Sequence, residues 1–349
     1  MQYSPAALAA GTGAAQGGDA VQPRRLFSRR LPRWRTGPGL GMVLLLCMIG
    51  LLSGCATQTR SLLAAPPAAL PARTELSATP FFAQEDYQCG PAALAMLMQA
   101  AGQPASPDEL VREVYIPARK GSLQPEMLAS ARRHGLLGVT LEPGLSALLQ
   151  EVAAGHPVVV LQNLSLPVFP LWHYAVVIGY DLPRGEIILR SGTTERLVMA
   201  MSTFEHTWLR SEAWAMVALK PGVLPRAARE ADVAEATLVM EKNLKPEQAR
   251  LAWNQALAQW PHNLTLQLGA GNAAHAAGDH RLALQIFERA AREHPQNVAV
   301  LNNTASLLAD AGRLDEAEPL ARRAVELGGP LAATARATLA EIEARRRGR

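Results

Sequence analysis

Cys89 lies in the string Gln84-Glu85-Asp86-Tyr87-Gln88-Cys89-Gly90-Pro91-Ala92-Ala93-Leu94-Ala95-Met96, with a glutamine five residues ahead and an apolar run behind. Pro91 suits the opening turn of a helix, which would set Cys89 at a helix N-terminus. Unpaired N–H groups and the macrodipole favour an anion there, and such settings lower a thiol pKa from ~8.5 towards neutrality. The thiolate is the attacking form, so this arrangement points to nucleophilic catalysis of acyl transfer. That chemistry also needs donors for the developing oxyanion. The Cys89 backbone N–H and the Gln84 side-chain amide are the candidates, and one such donor is worth about 2.7–4 kcal/mol.

A base must come from elsewhere in the chain. Of eight histidines, His173 is the best placed. It opens the apolar strand His173-Tyr174-Ala175-Val176-Val177-Ile178-Gly179-Tyr180 and follows a loop of prolines and aromatics, Leu166–Trp172. His156 sits in a Gly-His-Pro turn, His206 in a surface segment and His134 near a helix end, and the other four fall in the C-terminal repeats. A lone histidine at a strand mouth is usually structural, and a lone cysteine on an apolar helix is usually inert. Those bland readings give Gln84, Cys89 and His173 no reason to occur together. Leu94, Met96 and Leu97 are core residues.

The elements that must hold these groups begin with helices. Ala92 to Ala101 is one; Ser106-Pro107-Asp108-Glu109 caps a second; Gln124–His134 and Ser146–Ala154 are two more, each followed by glycine. Short β-branched runs follow at Pro157–Gln162, Tyr174–Tyr180, Glu186–Arg190 and Trp214–Leu219. Helices first and strands afterwards predict an α+β domain with an antiparallel sheet over residues 79–222.

From residue 230 the pattern changes. Ala249, Trp253, Ala256, Pro261 and Asn263 recur 34 positions on as Ala283, Phe287, Ala290, Pro295 and Asn297; Gly278, Ala283 and Ala290 recur as Gly312, Ala317 and Ala324. A 34-residue period with small residues at helix crossings resembles tetratricopeptide repeats, here over 230–329 and lacking the usual first-helix Trp and Tyr. The resemblance implies an all-α solenoid that binds a protein partner. Residues 330–349 are its helical end and a basic tail.

At the other end, six arginines precede the apolar run Met42–Leu52, which is too short to span a bilayer, and Ser53-Gly54-Cys55 follow. This resembles the lipobox of bacterial lipoproteins. It implies a signal peptide over 1–54, lipidation of Cys55, and an envelope location, with Ala56 favouring the outer membrane facing the periplasm. Residues 55–78, rich in Ala and Pro, are expected to be a flexible tether. Past residue 54 the chain holds 28 basic and 29 acidic residues, because residues 1–54 take six of the 34 basic and one of the 30 acidic. That near-neutral balance excludes a nucleic-acid footprint. Cys89 would then have no disulfide partner.

Gln84…Cys89-Gly-Pro-Ala-Ala-Leu-Ala-Met and His173-Tyr-Ala-Val-Val-Ile-Gly-Tyr-Asp181 together resemble the bacteriocin-processing, double-glycine-cleaving branch of papain-like cysteine peptidases. The resemblance covers about 79–220. It implies a papain-like α+β fold with Cys89 as nucleophile, His173 as base and then acid, and Gln84 as oxyanion donor. The family places an Asp, followed by Pro, on the next strand to orient the histidine; here that strand reads Ile187-Ile188-Leu189-Arg190-Ser191-Gly192. Ser191 or a backbone carbonyl must take that role, because Asp181 is expected in a turn facing solvent.

The expected function is a lipid-anchored cysteine peptidase acting on a peptide or protein, without metal or cofactor. The alternatives are a peptide-binding adaptor with a weakened site, or a thiol-dependent acyl or peptidyl transferase.

Overall fold

The computed structural model describes residues 56–83 and 88–348. Among them, helix α1 (Thr57–Ala64) and strand β1 (Arg73–Glu75) precede α2 (Cys89–Ala100), the central helix of the first half. Every residue of α2 from Gly90 to Met98 is buried, as expected of a helix that is apolar all round. It packs on one sheet face, beside α3 (Pro107–Val114) and α4 (Gln124–Arg133). Ser106 and Glu109 cap α3 reciprocally: Glu109 N–H donates to Ser106 Oγ at 3.3 Å, and Ser106 N–H donates to the Glu109 carboxylate at 3.0 Å. The hairpin β2 (Tyr115–Ile116) and β3 (Gly121–Ser122) lies between α3 and α4 in the chain.

The main sheet has seven strands and is antiparallel throughout. Its strands are β1, β4 (Leu137–Thr140), β5 (Val158–Asn163), β6 (Trp172–Asp181), β7 (Glu186–Ser191), β8 (Thr194–Ala200) and β9 (Ala215–Leu219). The order is β4-β9-β5-β6-β7-β8, with β1 pairing the far half of β6. All six residues of β5 are buried because both faces are covered. Val159 and Leu161 face the α2 side, and Val158 and Val160 face the side of α5 (Leu145–Ala153) and α6 (Met201–Leu209).

Three segments differ from expectation. The stretch expected to be a tether is part of the fold: Thr59 and Leu62 of α1 are buried, and β1 joins the sheet with Thr74 opposite Tyr180 and Glu75 opposite Gly179. Composition hid this because the partner supplies the fit; a Cβ at Gly179 would run into the Thr74 carbonyl. Asp181 does not face solvent but is buried and accepts from Arg73 Nε at 2.9 Å. His206 is exposed as expected, but its segment is a helix, α6, whose Met201, Phe204 and Trp208 form a buried i, i+3, i+7 stripe.

Helix α1 is held by a buried carboxylate. Glu205 of α6 accepts from Gln58 N–H at 3.0 Å and Thr59 N–H at 2.7 Å, the unpaired donors of the first turn. Glu205→Ala strands both donors and is expected to destabilise the domain by about 2–3 kcal/mol. An unchanged urea midpoint would contradict this.

The second half is helical. Helices α7 (Glu230–Met240), α8 (Pro246–Gln259), α9 (Leu264–Ala276), α10 (His280–Glu293), α11 (Val298–Asp310), α12 (Leu314–Leu327) and α13 (Ala332–Arg347) follow in order. Starts at 246, 280 and 314, and at 264, 298 and 332, keep the 34-residue period. Asn263 and Asn297 each cap a helix, accepting from Leu266 N–H and Val300 N–H at 3.0 Å. Gly269 and Gly271 lie against the rings of Trp253 and Phe287, where a Cβ would not fit. Arg345, Arg346 and Arg347 of the basic tail form the exposed last turn of α13, and Arg345 pairs with Asp310 and Glu341. Val233, Trp253, Leu266 and Ile286 join the core cluster on the α5 side of the sheet, so the first repeats pack onto that domain. No helix among the described residues is long and apolar enough to cross a membrane.

Candidate active site

Cys89 is the first residue of α2 and is half-buried; His173 is the second residue of β6, opposite Gln162 in β5. The two meet through the backbone. Backbone donors of Tyr174, the residue after His173, and of Gly90 and Cys89 itself pull the Cys89 thiol pKa down. Helix start and strand mouth thus converge on one sulfur atom. Gln84 lies outside the described residues, as does Cys55.

His173 Nε2 lies 2.9 Å from Ser191 Oγ at the end of β7. Of the two orienters left open, the side chain is the one in contact. With Nε2 so engaged, Nδ1 is the ring nitrogen that can serve as a base. Asp181 stands eight positions along β6, at the other end of the strand. His156 pairs with buried Glu151 at 2.7 Å and His134 with Glu113 at 2.9 Å, so both are tied elsewhere.

The electrostatics run against the expectation for the thiol. Burial pushes the Cys89 thiol up, outweighing the backbone donors of Tyr174, Gly90 and Cys89, and burial pushes the His173 imidazole down. A helix N-terminus favours the anion, but desolvation is the larger effect here. At rest the sulfur is therefore a thiol and the imidazole neutral, the protonation states that general-base transfer starts from.

Several residues that shape the site had no evident signal in the sequence. Tyr174 donates its hydroxyl to the Ser122 carbonyl at 3.2 Å and meets Trp214 edge-on with centroids 5.8 Å apart. A Cβ at Gly90 would overlap the Ser122 side chain, so the hairpin closes over the start of α2. Arg190 is buried and donates to the Ser77, Thr79 and Glu195 carbonyls at 3.0, 2.9 and 2.6 Å. It holds the segment leading towards Gln84 beside Ser191. An arginine within an apolar strand is the one hint the sequence carried.

Residues 77–216 match the model of the Peptidase_C39 like family, and residues 241–298 and 274–342 match two tetratricopeptide-repeat models. No curated protein matches the chain. Among solved structures, one described as a C39-like peptidase from Bacillus anthracis is 20% identical, covering 42% of this chain and 98% of that one at a TM-score of 0.37. A double glycine motif protease from an AMS/PCAT transporter, in complex with the leader peptide, is 17% identical over 40% of this chain and 89% of its own, at 0.31. The Yersinia enterocolitica type III secretion translocator chaperone SycD is 21% identical over 34% and 93%, also at 0.31. Residues 77–216 thus form a domain like those of the Peptidase_C39 like family, and the helices within residues 241–342 are tetratricopeptide repeats.

Proposed function

We propose that the chain is a lipid-anchored cysteine peptidase that hydrolyses a peptide bond through an acyl-enzyme on Cys89. The observation that carries this reading is the convergence of the Cys89 sulfur on the Tyr174 amide, next to an imidazole held by Ser191. His173 Nδ1 takes the thiol proton as sulfur attacks the carbonyl carbon. The oxyanion is met by the Cys89 N–H and the Gln84 amide. His173 then protonates the leaving amine, and water releases the acyl group by the reverse sequence. The repeats recruit a protein substrate or partner, and Cys55 carries the lipid that holds the enzyme at the outer membrane, facing the periplasm.

The test is intact mass after exposure of the mature protein to a peptidyl acyloxymethylketone. One adduct is expected, mapping to Cys89. No adduct, or one that maps elsewhere, rejects the enzymatic reading.

Ser191 acts as a positioning residue. A neutral imidazole donates Nε2–H to its hydroxyl, a bond weaker than one to a carboxylate. Ser191→Ala is expected to lower kcat about 2- to 10-fold with KM unchanged, matching the loss of one neutral hydrogen bond. A changed KM with unchanged kcat would place Ser191 in substrate binding instead.

The hydroxyl in place of a carboxylate is also the specific observation favouring a second reading, a peptide-binding adaptor with a weakened site. Full biological activity of Cys89→Ser would select it. A transferase uses the same thiol with a different acceptor, and an added amine nucleophile appearing in the product would reveal it.

A further inference from the structure

We infer that the loop 164–171, with Trp172, is a membrane-contact wedge that seats the catalytic end of the domain on the bilayer carrying its lipid anchor. The inference rests on the anchor proposed above.

From Leu164 to Trp172 the chain reads Leu-Ser-Leu-Pro-Val-Phe-Pro-Leu-Trp, without a charge. Its apolar side chains project outwards: Phe169 is 77% exposed, Val168 75% and Leu166 61%, with Leu164, Leu171 and Trp172 also exposed. A peptide-binding wall would be concave and would shield such groups. Here the six side chains are unshielded, and contiguous exposed apolar surface marks an interaction site.

The loop is also built to leave water. Of its eight backbone positions, four amides are paired within the protein and two are absent, leaving those of Leu166 and Val168: Leu164 N–H donates to the Leu171 carbonyl at 2.9 Å, and Phe169 N–H to the Leu166 carbonyl at 3.1 Å. Ser165 and Leu171 N–H both donate to Asn163 Oδ1, at 3.0 and 2.9 Å. Pro167 and Pro170 have no N–H at all. Unpaired backbone groups are what exclude ordinary loops from lipid. A tryptophan at the base fits the headgroup level, where aromatic rings concentrate.

The anchor enters at the same end. Arg210, capping α6, grips the loop base through the Asn163 and Ser165 carbonyls at 3.1 and 2.7 Å. Five positions back on that helix, about 7–8 Å along its axis, Glu205 binds the first turn of α1. Gln58 Oε1 also accepts from Leu145 N–H at 2.7 Å, five residues past the end of β4, where Thr140 and Val159 both pair with Met216. The last turn of α1 lies by Gly185, in the turn at the opposite end of β6. Helix α1 therefore runs away from the loop end, and Ala56, next after Cys55, lies on the loop's side. With α1 fixed to α5 and α6, no slack tether separates lipid from enzyme. Cys89 and His173 share this end, so a polypeptide substrate would be met at the membrane surface.

The test uses the mature acylated protein in phosphatidylethanolamine–phosphatidylglycerol vesicles containing acyl-brominated lipid. Trp172 is the one tryptophan at least half exposed among the described residues. Tryptophan quenching is expected in the wild type and to fall at least about fivefold in Val168→Asp/Phe169→Asp, while both proteins float with the vesicles. Leu166→Asp provides a second, single-site variant. Equal quenching in wild type and variants overturns the inference, as does a variant whose only change is a raised KM for a soluble peptide, which would make the loop a substrate wall. Should the protein carry no acyl chain, the anchor reading fails. Flotation is then decisive by itself: co-flotation lost in the variant keeps the wedge, and no co-flotation overturns it too.

Discussion

Cys89→Ala is expected to lower kcat/KM for a cleavable peptide by a factor on the order of 10⁴ to 10⁶, the scale on which removal of a nucleophile acts when the catalytic groups work as a unit. The variant should remain folded. Cys89 sits at the rim of the core cluster beneath the sheet and is only half-buried, so loss of one sulfur removes little packing. Cys89→Ser should be nearly as inactive, because an alcohol is a far poorer nucleophile under the same base. The measurement is steady-state cleavage beside a thermal unfolding curve. Wild-type-like turnover in either variant would remove the peptidase reading and leave the fold description standing.

His173→Ala is expected to cost about 10²- to 10⁴-fold, the range for a positioned general base. It should also change the pH profile. Burial holds His173 below its ordinary pKa of ~6.5 and Cys89 above its ordinary ~8.5. The imidazole must be neutral to accept the thiol proton, so kcat/KM should rise with pH along a limb lying below about pH 6.5. His173→Ala should erase that limb. In the free enzyme, alkylation by iodoacetamide should still be rising above about pH 8.5, because the thiolate fraction is small until then. An alkylation rate already at its plateau near pH 6 would mean a thiolate–imidazolium pair, and the general-base description would have to be abandoned.

How far the chain could be read depended on how local each cause is. The capping box of Ser106 and Glu109, the glycine after α4 and the 34-residue period are set within one or two turns of the chain, and each appears in the structure. Strand β8 and the segment around β1 are different. The exposed, polar pattern of Thr194–Ala200 is typical of an edge, and Arg73–Glu75 becomes a strand only because Gly179 admits it to the sheet. Helix α1 is short, and its first-turn donors are met by a carboxylate 146 positions away from Thr59.

The amino-acid order by itself determined the chemistry available: a single thiol past Cys55 ahead of an apolar helix, a histidine at a strand mouth, and a repeating helical period. These are statements about residue types and short spacings, which a linear pattern records. Only the folded chain decided that Ser191 faces His173, that Asp181 is bound to Arg73 instead, and that the sulfur's desolvation exceeds the pull of its backbone donors. Burial and hydrogen-bond partnership depend on residues far apart in the chain, and the protonation of a thiol follows from what surrounds it in space.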